Sequence, residues 1–280
     1  MARIELKTPQ QLRYMREAGL VVAAMHKALR EAAQPGVSLL ELDAVSAATI
    51  KAHGAKSNFL GYHGFPATVC ISVNDVVVHG IPTAEKLKLG DLVTFDCGAY
   101  VEREGKQWHA DAAFTMIVGG DEHGSTQARQ LNKLTEEAMW TALANLTTGK
   151  YVSAVGEAVE AVLADYVAEG FAGDIVEEYT GHGIGTAMHM PPEVLNYAAA
   201  GRSAKLQPGM VLAVEPIISA GSAQTEILAD EWTVVTVDGS LAAQWEHTVA
   251  ITTRGIWVLT APDGGVAGLA PFGIKPTPLS

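Results

Sequence analysis

QPGVSLLELDAV at residues 34–45 has a counterpart in TGKYVSAVGEAV at residues 148–159, and GYHG at 61–64 has one in TGHG at 180–183. The chain reads outward from these echoes. Ahead of the first, Thr8 and Gln11 have capping-box spacing, with Pro9 in the first turn. Leu12, Met15, Gly19, Val22, Met25 and Leu29 then trace one helical face to about Ala33, and Gly36 stops it. Ser38, with Glu41 three residues on, starts a second helix that ends before Gly54. Strand-like runs follow: TVCISV (68–73), a turn at Asn74-Asp75, VVVHG (76–80), then LVTFDCGAYV (92–101) and HADAAFTMIV (109–118) around the charged turn EREGKQ. The second half repeats the plan. Helices over 126–146 and 153–168 precede the HGIG region, MVLAVEPII (210–218), EWTVVTV (231–237) and WEHTVAI (245–251). Two helices followed by a ribbon, twice, predict a duplicated α+β unit. The expected organisation is one catalytic domain over 1–262, with halves at about 1–124 and 125–262, and a Pro- and Gly-rich tail over 263–280 laid on the surface or loose.

Bulk properties narrow the classes. The 280 residues, 48% apolar and 18% charged, suit one large domain or two closely packed halves. A formal charge of −12 argues against a nucleic-acid surface, although a local basic patch would still permit docking on an RNA-rich partner. Cys70 and Cys97 are the only cysteines and form no CxxC, so neither a disulfide framework nor a thiolate metal site is indicated. MARIELKTPQ lacks the apolar stretch of a signal peptide and no run of 18 apolar residues occurs, so a cytoplasmic chain without a membrane segment is expected. No glycine cluster stands in the strand–GxGxxG–helix context of a dinucleotide site, and no GK[ST] is present.

Polar residues inside apolar strands are the informative anomalies. Asp96 shares a strand face with Thr94 and Gly98, while Val93, Phe95 and Cys97 point the other way. A hairpin turning at about residues 103–104 brings Asp111 beside Asp96. Paired carboxylates raise one another's pKa and resist desolvation, a cost that a bound cation removes. The plain alternative is a solvated strand face. Glu215 in AVEPII and Glu246 in AQWEHTV show the same oddity, with edge-strand protection as the structural reading. Adding His182, from EEYTGHGIGTAMHMPPE (177–193), gives Asp, Asp, His, Glu and Glu. That set exceeds a three-ligand zinc site and suits two divalent ions about 3.5–4 Å apart, with a bridging hydroxide as nucleophile and Lewis-acid help at a carbonyl. His79, taken alone, reads as a buried turn histidine.

The chain resembles the type I methionine aminopeptidases of the creatinase/aminopeptidase "pita-bread" fold over roughly residues 5–260. The blocks that carry the resemblance are FLGYHGFPATVCISVNDVVVHGIP, GHGIGTAMHMPPEV, GMVLAVEPI, DEWTVVTVDGS and QWEHTV. It implies a pseudo-two-fold of curved antiparallel sheet flanked by helices. It also implies that Asp96 is a bidentate ligand of one ion, Asp111 and Glu246 are bridging ligands, and His182 and Glu215 complete the set. Glu215 would shuttle protons, His79 would contact the substrate near its amine and scissile amide, and His189 would hydrogen-bond the scissile carbonyl and the tetrahedral intermediate. Phe59, Tyr62, Phe65, Cys70, Met188 and Trp232 match the methionine side-chain site, an apolar and polarisable lining suited to a thioether. The backbone at Asn74 would help hold a structural Na or K ion. Cobalt, manganese, iron and zinc would all accept the divalent sites.

The implied activity is hydrolysis after an initiator methionine, with a small second residue preferred, on nascent polypeptides. A monomer that docks transiently on the ribosome is expected. An Xaa-Pro aminopeptidase or prolidase of the same fold is the nearest rival, but those usually carry a sizeable N-terminal domain. The interval from Glu215 to Glu246 leaves no room for the type II helical insertion, and a complete ligand set disfavours metal-free hydrolases and non-catalytic binding relatives. Two departures stand out. Asp96 and Asp111 are 15 apart, about four more than is common in that family, which should enlarge the surface hairpin without moving the ligands. Ala110 replaces a usual glycine, which would strain Asp111 if the position needs φ > 0. Position 188 is Met where many relatives carry Phe.

Overall fold

The computed structural model describes residues 3–201 and 203–279; the first two residues of the expected catalytic domain, Arg202, and Ser280 of the expected tail lie outside the described residues. Helix α1 (Pro9–Ala32) opens on Thr8 with both capping-box hydrogen bonds, and buries Leu12, Met15, Val22, Met25 and Leu29 along one stripe. Helix α2 (Leu39–Ala52) starts on an equivalent Ser38–Glu41 box. Ser125 caps α3 (Thr126–Asn145), and α4 (Ala154–Ala168) packs against it. The helix pairs therefore recur in each half, as the sequence echoes predict.

In the first half, Leu92–Arg103 pairs along its length with Lys106–Ile117 and, on its other edge, with Val69–Val73 and Lys56–Ser57. The hairpin closes at Glu104 (φ 52°) and Gly105 (φ 70°), a two-residue turn with both central residues left-handed. Such turns match the twist of the strands and favour Gly in the second place. This centres the hairpin one residue later than the expected 103–104. Asp96 then lies opposite Ala113 and Asp111 opposite Gly98. The two acids are diagonal rather than directly paired, yet still on one face, because moving the partner by two residues preserves the side. Val93, Phe95 and Cys97, on the other face, join the buried stripe of α1 in the main core.

The second half centres on a five-stranded antiparallel sheet in the order Gly255–Val258, His247–Thr252, Val211–Val214, Gly181–Gly183, Met190–Val194. Three expected strands are shorter or broken. MVLAVEPII divides at Glu215-Pro216, and Ile217–Ser219 joins a separate sheet with Ala242–Gln244 and Asp174–Ile175. Proline has no N–H for a ladder, so the strand cannot run through it. WEHTVAI begins only at His247, because Glu246 donates its N–H to the Ala113 carbonyl of the other half (2.9 Å) and accepts the Ala113 N–H (3.3 Å). EWTVVTV keeps only Val234–Thr236, after the Asp230 carboxylate has accepted the Trp232 and Thr233 N–H groups.

The halves therefore meet along Asp111–Thr115 and Gln244–Thr248. Besides the Ala113–Glu246 pair, the Thr115 hydroxyl donates to the Gln244 carbonyl (2.8 Å) and accepts the Gln244 N–H (3.2 Å). The segment after Pro262 is docked rather than loose: Leu269 is fully buried and Thr277 N–H donates to the Ile256 carbonyl at 2.8 Å. Among the described residues no helix is long and apolar enough to cross a membrane.

Candidate metal centre

The carboxylates reach one cavity by two routes. Asp96 and Asp111 rise from the regular hairpin, but Glu215 and Glu246 stand at the breaks just described, one after Val211–Val214 and one before His247–Thr252. His182 projects from the short strand Gly181–Gly183, whose register slips beside it. All five border a cavity of about 480 Å³ between the halves.

His182 Nε2 is 3.6 Å from Asp111 Oδ2 and 3.5 Å from Glu215 Oε1. Ligand atoms of Asp111, His182 and Glu246 lie within 4.8 Å of one another, a group that could hold a metal ion. His182 Nδ1 sits 3.0 Å from the Gly183 carbonyl. A proton on Nδ1 satisfies that carbonyl and leaves the Nε2 lone pair facing the acids, the tautomer a metal needs.

Two observations test the fit of divalent ions. Asp96 Oδ1 is buried without a hydrogen-bond partner, an orphaned acceptor of the kind that a cation satisfies. The acids are also uncomfortable as bare anions. Burial, then the charge of Asp111, pushes Asp96 up to about 8. Burial likewise drives Glu215 and Glu246 well above the usual carboxylate range, with Asp111 adding to both. Four carboxylates and one imidazole form a hard-to-borderline donor set, and cations here would hold the acids ionised.

Neighbouring groups orient these candidate ligands. The Thr248 hydroxyl contacts Asp111 at three atoms, Gln244 Nε2 donates to Glu215 Oε2 at 3.1 Å, and Asn196 Nδ2 donates to the Glu215 carbonyl at 3.1 Å. Sequence reading missed all three. Thr248 carried a usable signal, since it lies two residues after Glu246 in a strand.

The residues expected to form the methionine side-chain site cluster beside the acids. Phe59, Phe65, Cys70 and Met188 form a small separate core with Tyr62 and Trp232 against it. Phe65 and Trp232 meet edge-on at 5.2 Å, and Cys70 is paired with Asp96 across the sheet, so the apolar pocket opens directly on the carboxylates. His189 Nδ1 is 2.8 Å from the Tyr62 hydroxyl, and its ring meets His182 edge-on at 4.4 Å. Burial and the adjacent His182 push His189 down to about 4. His79 borders the same cavity with φ 58°, its ring edge-on to Tyr179 at 5.4 Å, and burial lowers its pKa. Further wall residues that sequence reading did not name are His63, Val78, Tyr179, Thr180 and Ile217. Asn74 lies outside the cavity lining; its side chain bonds Asp91 and the Leu92 N–H, and its carbonyl accepts the Ala242 N–H.

Neither departure disturbs the centre. Ala110 pairs with Ala99 in regular strand without a positive φ, so the strain that a glycine-requiring position would bring does not arise. The longer hairpin tip is tied down at the surface, by Arg103 to Glu17 (2.5 Å) and by the Tyr14 hydroxyl to Glu104 (2.9 Å).

Residues 13–253 match Metallopeptidase family M24. The chain belongs to that family. It is 46% identical over 252 residues to methionine aminopeptidase 1 of Mycobacterium tuberculosis, covering 89% of this chain and 92% of the relative. It is 41% identical to methionine aminopeptidase 1 of Bacillus subtilis, covering 91% and 98%. Among solved structures, methionine aminopeptidase from Thermotoga maritima superposes with a TM-score of 0.84 at 34% identity, covering 92% of this chain and 99% of that one. A prolidase from Pyrococcus furiosus shares the fold at a TM-score of 0.69 and 20% identity, over 91% of this chain and 65% of that one.

Proposed function

We propose that this M24 chain is a metal-dependent aminopeptidase that hydrolyses the peptide bond after an N-terminal methionine, the residue for which its relatives are named. The observation that carries this reading is the opening of the Phe59–Phe65–Cys70–Met188 pocket onto the acids. A methionine side chain seated there would set its own amine and carbonyl at the Asp96–Asp111–His182–Glu215–Glu246 centre, and orientation of this kind supplies much of the rate.

Those five residues, drawn from both halves, would hold two divalent ions. When bound, the ions supply Lewis-acid polarisation and a nucleophile available at neutral pH. Glu215, held by Gln244, would accept and return the proton. With the Tyr62 hydroxyl as donor to His189 Nδ1, the imidazole proton would lie on Nε2, where it would stabilise charge developing on the scissile carbonyl oxygen. Burial keeps His79 neutral, so it would contact the substrate near its free amine as an uncharged partner. Peptides with a small second residue are the proposed substrates, including nascent polypeptides. Manganese, cobalt, iron or zinc would suit the donors, and a Na or K ion would take the free lone pair of the Asn74 carbonyl.

Asp96→Ala should abolish cleavage of Met-Ala-Ser while circular dichroism and cooperative unfolding remain those of a folded chain. Full activity in that variant, or in a thoroughly chelated sample, would overturn the reading.

A further inference from the structure

The loop from Ile184 to His189 joins the strand of His182 to the strand Met190–Val194, so both site histidines depend on its path. Part of its support comes from the segment ahead of α1. Glu5 Oε2 accepts the Thr186 hydroxyl at 2.5 Å and Glu5 Oε1 accepts the Thr186 N–H at 3.3 Å. Lys7, its side chain only 2% exposed, pairs with Glu5 Oε1 at 3.4 Å and donates to the Glu5 carbonyl at 3.1 Å. The backbone of Lys7 is fixed in turn, donating to the Gly209 carbonyl at 2.8 Å.

The fit is close. A Cβ on Gly185 would stand 2.3 Å from Glu5 Oε1 and 2.5 Å from Lys7 Cε, so a larger residue there would push these two side-chain ends out of their present places. On its other side the Gly185 carbonyl accepts the N–H of His109, two residues before Asp111. The turn is thus clamped between the N-terminal segment and the hairpin. Lys7 is buried while Glu5 remains partly exposed, and burying a charged group to form such a pair is a poor device for stability alone. What Lys7 secures is a carboxylate at a fixed place, and that carboxylate takes both donors of Thr186.

We infer that Glu5, held by Lys7, is a positioning residue that fixes the Gly185–Thr186 turn and through it the relative placement of His182 and His189. The inference rests on the roles proposed above for those two histidines. Displacing a group that acts in the transition state lowers kcat more than it alters substrate binding.

The test uses Glu5→Ala, Thr186→Val, Thr186→Ser and the Glu5→Ala/Thr186→Val pair in the full chain. In hydrogen exchange on the metal-free protein, amides of residues 184–189 should exchange about tenfold faster in Glu5→Ala while the hairpin amides hold. With metal restored, Glu5→Ala and Thr186→Val should each lose about tenfold in kcat on Met-Ala-Ser with KM within about twofold. Thr186→Ser, which keeps the hydroxyl, should recover most of that loss. The pair should be no worse than either single variant, as expected of two ends of one contact. Unchanged loop exchange in Glu5→Ala, wild-type kcat in the folded Thr186→Val variant, or losses that multiply in the pair would each overturn the inference. His189→Ala separates the two claims: full activity there would refute the proposed role of His189, whereas the exchange measurement stands without any activity.

Discussion

Thr248 and Asp111 are joined across the seam between the halves. The Thr248 hydroxyl accepts the Asp111 N–H at 3.1 Å and stands 2.7 Å from the Asp111 carbonyl and 2.9 Å from Asp111 Oδ1. With one proton to donate and lone pairs to receive, it orients both the backbone and the carboxylate of a candidate bridging ligand. Groups that hold a metal ligand from behind are commonly worth a factor of about 10–100 in metal affinity. Thr248→Val, which keeps the shape and removes the hydroxyl, should weaken divalent-ion binding by about that factor in calorimetric titration of chelated protein, and Thr248→Ser should retain it. An unchanged Kd in the valine variant would remove Thr248 from the centre.

The Tyr62–His189 bond sets a second expectation. If the phenol fixes the imidazole with its proton on Nε2, Tyr62→Phe should reduce kcat about tenfold or more, the scale of a positioned proton donor. KM should move little, because the ring that walls the pocket remains. A rise in KM at constant kcat would show that Tyr62 serves substrate binding alone.

Asp96 makes one separable contribution to the pH dependence of the metal-free protein. Burial, reinforced by Asp111, raises its carboxyl from 3.8 to about 8. The folded chain then retains a proton that the unfolded chain has already released. That contribution to stability is complete below about pH 3.8 and is lost as pH rises through about 8. Burial lowers His26 to about 3 and His247 to about 4, and those two are neutral in both states above about pH 7.5. Between about pH 7.5 and 9, the Tm of metal-free wild type should therefore fall relative to Asp96→Asn. Saturating divalent metal should remove the fall. Parallel pH profiles for wild type and Asp96→Asn without metal would contradict this.

Much of the site was legible because its chemistry conflicts with its surroundings. Asp96, Asp111, Glu215 and Glu246 are acids in strand-forming apolar runs, and two of them sit where the strands break. The helices were legible for a different reason, since capping boxes at Thr8 and Ser38 are local and tertiary packing had nothing to overrule. The expected turn falls one residue early, which shifts the strand pairing by two, because the left-handed turn at Glu104-Gly105, rather than the midpoint of the charged run, sets the register. Strand breaks at Pro216 and Glu246 depend on which half supplies the hydrogen-bond partner, a long-range fact no local pattern contains. The contacts of Thr248, Gln244 and Glu5 were hidden for the same reason. Each is an ordinary polar residue until the fold brings it beside Asp111, Glu215 or Thr186.

As proposed, the five candidate ligands and the apolar pocket beside them together make a methionine-specific, metal-dependent aminopeptidase. The most direct measurement is a metal-restored assay comparing Met-Ala-Ser with Ala-Pro-Ala, each repeated after chelation. The account expects release of methionine from Met-Ala-Ser, loss of that activity on chelation, recovery on adding divalent metal, and no comparable turnover of Ala-Pro-Ala. Preferential cleavage of Ala-Pro-Ala, or cleavage of Met-Ala-Ser that survives complete removal of metal, would contradict it.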